Sequence, residues 1–414
     1  MSAKAPTSRD ECVARDKSDP LREFIGRFHK PPGIIYLDGN SLGPLPIATP
    51  QRLSNVIARE WGDGLITSWN KAGWFELPST LGDRLAKLIG VASGQTLVCD
   101  TTSINIFKCL HAALSLRPGR TVIVAEETGF PTDLYMIEGV IESMGGGRRL
   151  WDKTKPIDSV LGDDVAAVLL SEVDYRSGAL IDMRDLTRKI HKTGALAIWD
   201  LCHSAGVMPI ALDDCEADFA IGCTYKYLNG GPGAPAFLYA ARRHHRQSCQ
   251  PLSGWWGHAS PFAFERDYRA DPGIKKFLCG TQPILSMTGV ACGLDAMEGA
   301  TIAALRAKSQ ALTGLFMDRV EALLGGMVGI VTPRDPKARG SQVSLRFANG
   351  YAVVQAMIAE GVIGDFRAPD IMRFGFAPLY TDFAEAWDAA ECVSRCIGCE
   401  VWRDERFTRR AVVT

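Results

Sequence analysis

The sequence predicts an α/β protein with a mainly parallel sheet, helices on both of its faces, and a small α+β unit at the carboxyl end. Three observations lead there. From about residue 77 to residue 240, short apolar runs alternate with stretches of helical periodicity, the pattern of βαβ units. Several of those runs end on a polar or ionisable residue (Ser171, Asp200), as a buried strand does where it leaves a sheet. After about residue 325 the rhythm changes to strands at 328–331, 342–347, 362–367 and 371–376, with helices at 351–360 and 382–400.

Taken in order, residues 1–30 are charged and read as a helical arm through DPLREFIGRFH. PPGIIYLDGNSLGPLP holds a short strand at 34–37 and turn chemistry at Asp38-Gly39-Asn40-Ser41. Residues 48–61 read as helix, and 61–76 as a loop carrying Trp61, Trp69 and Trp74, suited to a binding wall. Leu81, Leu85, Leu88 and Ile89 have helical spacing. A strand at 96–99 leads into a helix at 104–116, with Thr102 and Ser103 as caps where free N–H groups could seat a phosphate. A strand at 121–125 is followed by a loop, 129–133, and a helix, 134–144. Gly145 to Gly147 read as a loop. Strands at 166–170, 195–199, 219–223 and 236–240 complete the sheet, with a helix at 183–193. SGWWGH and KKFLCGTQPIL read as loops, and one long helix spans about 285–325. No internal repeat is present.

Composition narrows the function classes. The chain has 414 residues, 46% of them hydrophobic and 22% charged, as in ordinary globular proteins. A net charge of −1 argues against a nucleic-acid or anionic-membrane partner. No apolar run approaches the roughly 18 residues of a membrane span. The polar start, MSAKAPTSRDECVARDK, lacks a signal-peptide core, and twelve scattered cysteines read as reduced thiols, so the expected location is cytoplasmic.

The chemistry-bearing stretch is ALAIWDLCHSAGVMPIALDDCEADFAIGCTYKYLNG. One apolar run ends on Asp200, the next on Thr224-Tyr225-Lys226. Ligands of open α/β sheets sit at the carboxyl ends of strands, so an acid and an amine should share one crevice. With an anion seat at Thr102 and Ser103 and an aromatic at Phe130, these residues meet the needs of pyridoxal 5′-phosphate (PLP): a lysine for its aldehyde, a carboxylate for its ring nitrogen, a stacking surface and a phosphate seat. His203 could orient Asp200 or reach the cofactor, and equally could be structural. Tyr225 could donate to the phosphate, act as an acid, or pack.

YLDGNSLG, TTSINIFK, GFPTD, WDLCHSAG, TYKYLNGGPG, GWWGH and RFGFAPLY occur in this order over nearly the whole chain. In combination they resemble the kynureninase family, PLP enzymes of the aspartate aminotransferase fold type I. The resemblance implies a seven-stranded, mainly parallel sheet and hydrolysis of L-kynurenine, with 3-hydroxykynurenine as a second substrate, to anthranilate and L-alanine in tryptophan catabolism and NAD biosynthesis. It implies three regions: an N-terminal arm and helix packed on the small domain (1–60), a large cofactor domain (61–290), and a linking helix with the small domain (291–414). Thr102 and Ser103 would hold the phosphate, Phe130 would stack on the ring with Asp133 near it, and Ser171 and His203 would line the site. Asp200 would pair with the ring nitrogen, Lys226 would form the Schiff base, and Tyr225 would bond the phosphate and donate a proton. Trp255 and Thr281 would come from the partner subunit of a homodimer. Arg373 would clamp the substrate α-carboxylate, and Asn40, Ser41 and the Trp69–Trp74 loop would wall the aryl end. Thr281 stands where an Asn can occur in animal members, and the Trp69 loop has no His; both departures count against a preference for the 3-hydroxylated substrate.

Other readings compete. A cysteine desulfurase or aminotransferase would share the fold, with Cys279 as the candidate nucleophile. Cys392, Cys396 and Cys399 have the C-x3-C-x2-C spacing of some iron–sulfur proteins. They also follow i, i+4, i+7 on an amphipathic stretch, so the expectation is a buried helix face and no metal, against an iron–sulfur or scaffold protein. Arg242-Arg243-His244-His245-Arg246 reads as a solvated turn.

Overall fold

The computed structural model describes residues 6–409. The first strand, β1 (Ile35–Tyr36), is short. The next seven form one sheet: β2 (Thr96–Val98), β3 (Val122–Glu126), β4 (Gly147–Trp151), β5 (Val165–Ser171), β6 (Leu196–Asp200), β7 (Phe219–Gly222) and β8 (Phe237–Ala240), in the order β2-β8-β7-β6-β5-β3-β4. β8 is antiparallel to both of its neighbours and the other pairs are parallel, so six strands point the same way.

The central strands are unbroken apolar runs because both faces are covered. On one face Val168, Leu170, Ala197 and Trp199 pack with Leu85, Leu186, Ile190 and Met287 of the helices Leu77–Ala86, Met183–Lys192 and Ile284–Met297. The alternate residues Ala167, Leu169, Leu196 and Ile198 pack with Ile106, Leu110, Ile137 and Val140 of the helices Thr102–Leu116 and Pro131–Met144. The period of two along each strand therefore sorts side chains into two cores.

A third core gathers Phe316, Val320, Val343, Met357, Phe374, Trp387 and Val393. It lies on an antiparallel sheet of order β12-β13-β10-β9, formed by β9 (Gly329–Ile330), β10 (Gln342–Arg346), β12 (Asp365–Arg367) and β13 (Ile371–Gly375). β11 (Val362–Ile363) pairs instead with β1. The helix Arg9–Lys17 lies on this unit: Arg9 forks onto Asp388, and Asp16 accepts from the Phe383 and Ala384 N–H groups at the start of the helix Phe383–Gly398.

The structure corrects several expectations. The Gly145–Gly147 stretch leads straight into β4, whose Arg148 and Leu150 are exposed; an edge strand carrying charge has no apolar run to betray it. The helix expected over 285–325 is two, Ile284–Met297 and Ile302–Leu324. Gly299 adopts φ +94° between them, Arg27 donates to the Glu298 carbonyl, and Thr301 caps the second helix. The strand expected over 362–367 divides at Gly364 between two sheets. The 48–61 helix is α-helical over Thr49–Asn55 and then π-helical over Val56–Asp63. The tryptophan loop contains a short helix, Ser68–Lys71.

Candidate active site at the carboxyl edge of the sheet

β5 and β6 are in register at their last residues, so Ser171 and Asp200 stand side by side where the sheet ends. β7 follows, and its exit is a tight loop. Gly230 N–H donates to the Thr224 carbonyl, Asn229 N–H to the Lys226 carbonyl, and Thr224 Oγ1 to the Pro235 carbonyl. The turn at 39–43 braces this loop from outside: Gly43 N–H donates to the Tyr225 carbonyl at 2.7 Å. A Cβ on Gly43 would stand 2.5 Å from the Lys226 carbonyl oxygen, so only glycine fits beneath the lysine.

One cavity of about 180 Å³ is lined by Thr102, Ser103, Phe130, Thr132, Asp133, Ser171, Tyr175, Asp200, Cys202, His203, Tyr225 and Lys226. Asp200 and Lys226, 26 positions apart, share it. Lys226 Nζ lies 3.1 Å from His203 Nε2. Burial, then the charges of Lys226, Arg373 and Arg367, holds the His203 imidazole well below its usual range, so it is neutral and accepts from the amine. His203 Nδ1 is buried without a partner. Asp200 Oδ1 accepts from the Cys202 N–H at 2.7 Å. Burial and then the Asp200 charge push Asp133 well above the usual carboxylate range. Burial and the Cys223 and Cys202 thiols push the Tyr225 phenol up, so it remains a proton donor.

At the cavity floor the helix Thr102–Leu116 begins. Its cap is Thr101, whose Oγ1 accepts from Ile104 N–H, and not Thr102 or Ser103 as expected. This leaves Thr102 and Ser103 in the first turn, where N–H groups have no intrahelical acceptor and an anion is favoured. The helix Pro131–Met144 starts earlier than expected, which puts Thr132 and Asp133 on its first turn and Phe130 just before it. The Phe130 ring meets Tyr175 edge-on at 5.2 Å. A flat heterocycle with an acidic tail fits this set: an amine, an acid, a ring to stack on, a helix N-terminus, and an imidazole nitrogen awaiting a partner.

Other expected site residues stand apart from these walls. Thr281 lines an adjoining cavity of about 470 Å³ that shares Thr102, Ser103 and Tyr225. Trp255 packs on Trp256 at 4.7 Å and is 42% exposed. Trp69 meets Trp74 and Trp256 and, with Trp61, lines an apolar cleft next to Thr281. Asn40 is fully buried against Gly375, where a Cβ would come within 2.2 Å of Asn40 Oδ1, and it donates to Gln342. Ser41 donates to Asp365 at 2.7 Å. Arg373 is buried on Asp365. Its Nε donates to Oδ1 at 2.7 Å, Nη2 to Oδ2, and Nη1 to the Tyr175 carbonyl. Tyr175, Thr132 and Cys202 were not singled out from the sequence; position just beyond or beside a strand end is the signal that would have found Tyr175 and Cys202.

The rival features resolve differently. Cys279 donates to the Leu252 carbonyl and is absent from the Lys226 cavity walls. Cys392 and Cys396 are buried, as the periodicity predicts, while Cys399 is exposed at the helix end. Both buried thiols face Glu360, which Arg395 already neutralises, and they donate to it as thiols. The 242–246 run is not simply solvated. His244 and His245 are buried, and His244 Nε2 and Arg243 Nη2 both reach Asp218.

A sequence model described as the kynureninase C-terminal domain matches residues 305–393. The chain is 50% identical over 414 residues to kynureninase of Burkholderia pseudomallei (strain 1106a), covering 98% of this chain and all of the relative. It is 49% identical over 415 residues to kynureninase of Pseudomonas fluorescens, covering 99% and 100%. Among solved structures, a cysteine desulfurase of Escherichia coli superposes with a TM-score of 0.75 at 16% identity, covering 92% of this chain and 98% of that one. The cystine C-S lyase C-DES in complex with cysteine persulfide gives 0.75 at 17%, covering 87% and 97%. At those identities the structural likeness speaks for the fold alone.

Proposed function

The chain belongs to the kynureninase family, and from that premise we propose that it hydrolyses L-kynurenine to anthranilate and L-alanine with PLP as its cofactor. The observation that carries this reading is the sharing of one cavity by Lys226, Asp200, Phe130 and the helix start at Thr102–Ser103. PLP, when bound, supplies an aldehyde for an amine and a ring that accepts electron density from the amino acid's α-carbon.

The positions of these residues support the following roles. Thr102 and Ser103 would hold the phosphate, with Tyr225 as a further donor to it. Phe130 would offer a stacking surface to the ring and Asp200 a carboxylate to its nitrogen, with Asp133 and Ser171 lining the remaining wall. Lys226 Nζ takes the Cα proton, and neutral His203 orients that amine through the 3.1 Å contact. Tyr225, held as a phenol, is the proton donor for the departing carbon. Arg373, Asn40 and Ser41 belong to the substrate side.

We further propose a homodimer in which Trp255 and Thr281 reach the partner's cofactor. Support comes from the exposed rings of Trp255, Phe262 and Phe264, which pack on one another at the surface, and from the exposed Trp61, Leu65 and Ile66. The division at residues 60 and 290, and a cytoplasmic location, stay part of this reading. The test is direct: purified protein with PLP and L-kynurenine should develop anthranilate fluorescence, and absence of that signal refutes the assignment.

A further inference from the structure

The cavity of about 470 Å³ that shares Thr102 and Ser103 poses an electrostatic problem. Among the described residues, the only charged side chain in its walls is an acid, Asp100. That acid stands two residues before the helix whose first turn is suited to an anion. A carboxylate beside a phosphate repels it, and a partly enclosed site screens the repulsion poorly. Something must cancel the charge.

Lys108 does so. It lies about two turns along the same helix, and its side chain is 0% exposed. Nζ donates to Asp100 Oδ2 and to the Phe277 carbonyl. Against its burial, Cys99, Asp100 and Cys279 push the ammonium up to about 12, so it stays charged. Lysine is almost never fully buried without such a pair. Asp100 itself takes φ +49°, in the left-handed region, which Asp and Asn enter more readily than most side chains. Its carbonyl accepts from the Ala236 N–H at 2.9 Å, and the next residue is the Thr101 cap. The ion pair thus ties the exit of β2 to the helix that follows it. Phe277, the other partner, leads to Gly280 and Thr281 in the wall of the same cavity.

We propose that Lys108 is a positioning residue for the phosphate seat: it cancels the Asp100 charge so that an anion can be held at Thr102 and Ser103. This deepens the cofactor reading and rests on the PLP phosphate lying there. The signature is selectivity. Pyridoxal carries the same ring and aldehyde without the phosphate, so loss of Lys108 should weaken PLP and spare pyridoxal.

The test titrates the full chain, stripped of cofactor, with PLP, pyridoxal and inorganic phosphate. Absorbance reads the first two and calorimetry the third. Lys108→Met should raise the PLP and phosphate Kd roughly tenfold or more, the scale of one uncancelled charge at close range, and the pyridoxal Kd less than about twofold. Adding Asp100→Asn removes the repelling charge and keeps a residue that tolerates positive φ; the PLP Kd should return to within about threefold of the parent. Where Lys108→Met does not fold, Asp100→Asn alone is read. It leaves the Lys108 charge uncancelled and should tighten phosphate binding about threefold or more. PLP and pyridoxal weakened alike, or a double variant as weak as Lys108→Met, would overturn the proposal by showing a packing role only. So would phosphate binding that Asp100→Asn leaves unchanged or weakens. A parent chain that binds phosphate but develops no PLP absorbance band would overturn the cofactor reading instead, with the phosphate arm still deciding the role of Lys108.

Discussion

Asp200 and Asp218 are both buried carboxylates at opposite ends of two neighbouring parallel strands, yet they do opposite things. Asp218 precedes β7, at the amino edge of the sheet. It accepts from the Ala197 N–H at 2.7 Å, His191 Nε2 at 2.8 Å, His244 Nε2 at 2.7 Å and Arg243 Nη2 at 2.8 Å. Asp200 closes β6 at the carboxyl edge, faces a cavity, and accepts from the Cys202 N–H. The first is saturated and staples three segments together. The second keeps acceptor capacity for a ligand. Residue types alone do not separate them, since each has a histidine and a cation near it; saturation does.

Breaking the cavity side should cost activity without structure. Lys226→Ala should lower turnover by at least about 10³-fold and abolish the visible absorbance of bound PLP, with the thermal midpoint nearly unchanged. Next in size, Asp200→Asn should lower turnover about 10²-fold, the scale of one charge-assisted hydrogen bond, as read by anthranilate release. Breaking the staple should do the reverse. Asp218→Ala leaves Arg243 and two imidazoles without their acceptor and should destabilise the fold by about 3 kcal/mol in denaturant titration, with kcat of the folded fraction intact. If Asp218→Ala loses activity while keeping its stability, the contrast fails.

The same comparison has a pH signature. Against its burial, the hydrogen bonds from His191 and His244, the His191 charge and the Ala197 N–H hold Asp218 below the usual carboxylate range. Its stabilisation is complete above the unfolded value near pH 4 and drains away as pH falls toward the folded one. Asp133, in the cavity, is raised. Its contribution is complete below the ordinary carboxylate range and is lost as pH rises through its folded value. The smallest expected effect is therefore Asp133→Asn removing a slope on the order of one proton from the alkaline-going side of the stability profile, while Asp218→Asn removes slope only on the acid side.

Much of this was legible beforehand. Asp200 and Lys226 end apolar runs, and the carboxyl edge of a parallel sheet gathers such ends whatever the intervening sequence. Cys392 and Cys396 were readable as helix-face residues from their spacing. β4 was not legible, because GRRLW carries edge-strand charge, nor was the break at Gly299, because helical periodicity continues on both sides of it. The histidines at 244 and 245 look solvated among three arginines; only the position of Asp218 shows that His244 is an anchor.

The sequence by itself determined most of the strands and helices, the apolar face of each, and the meeting of Asp200 and Lys226 at one edge of the sheet. These are local matters, set by side-chain period and by the polar residue at each strand end. Only the tertiary structure decided which charges are already satisfied: Arg373 by Asp365, Glu360 by Arg395, Asp218 by residues from three segments. A carboxylate's availability depends on the donors packed around it, and those arrive from distant parts of the chain when the sheets and helices dock.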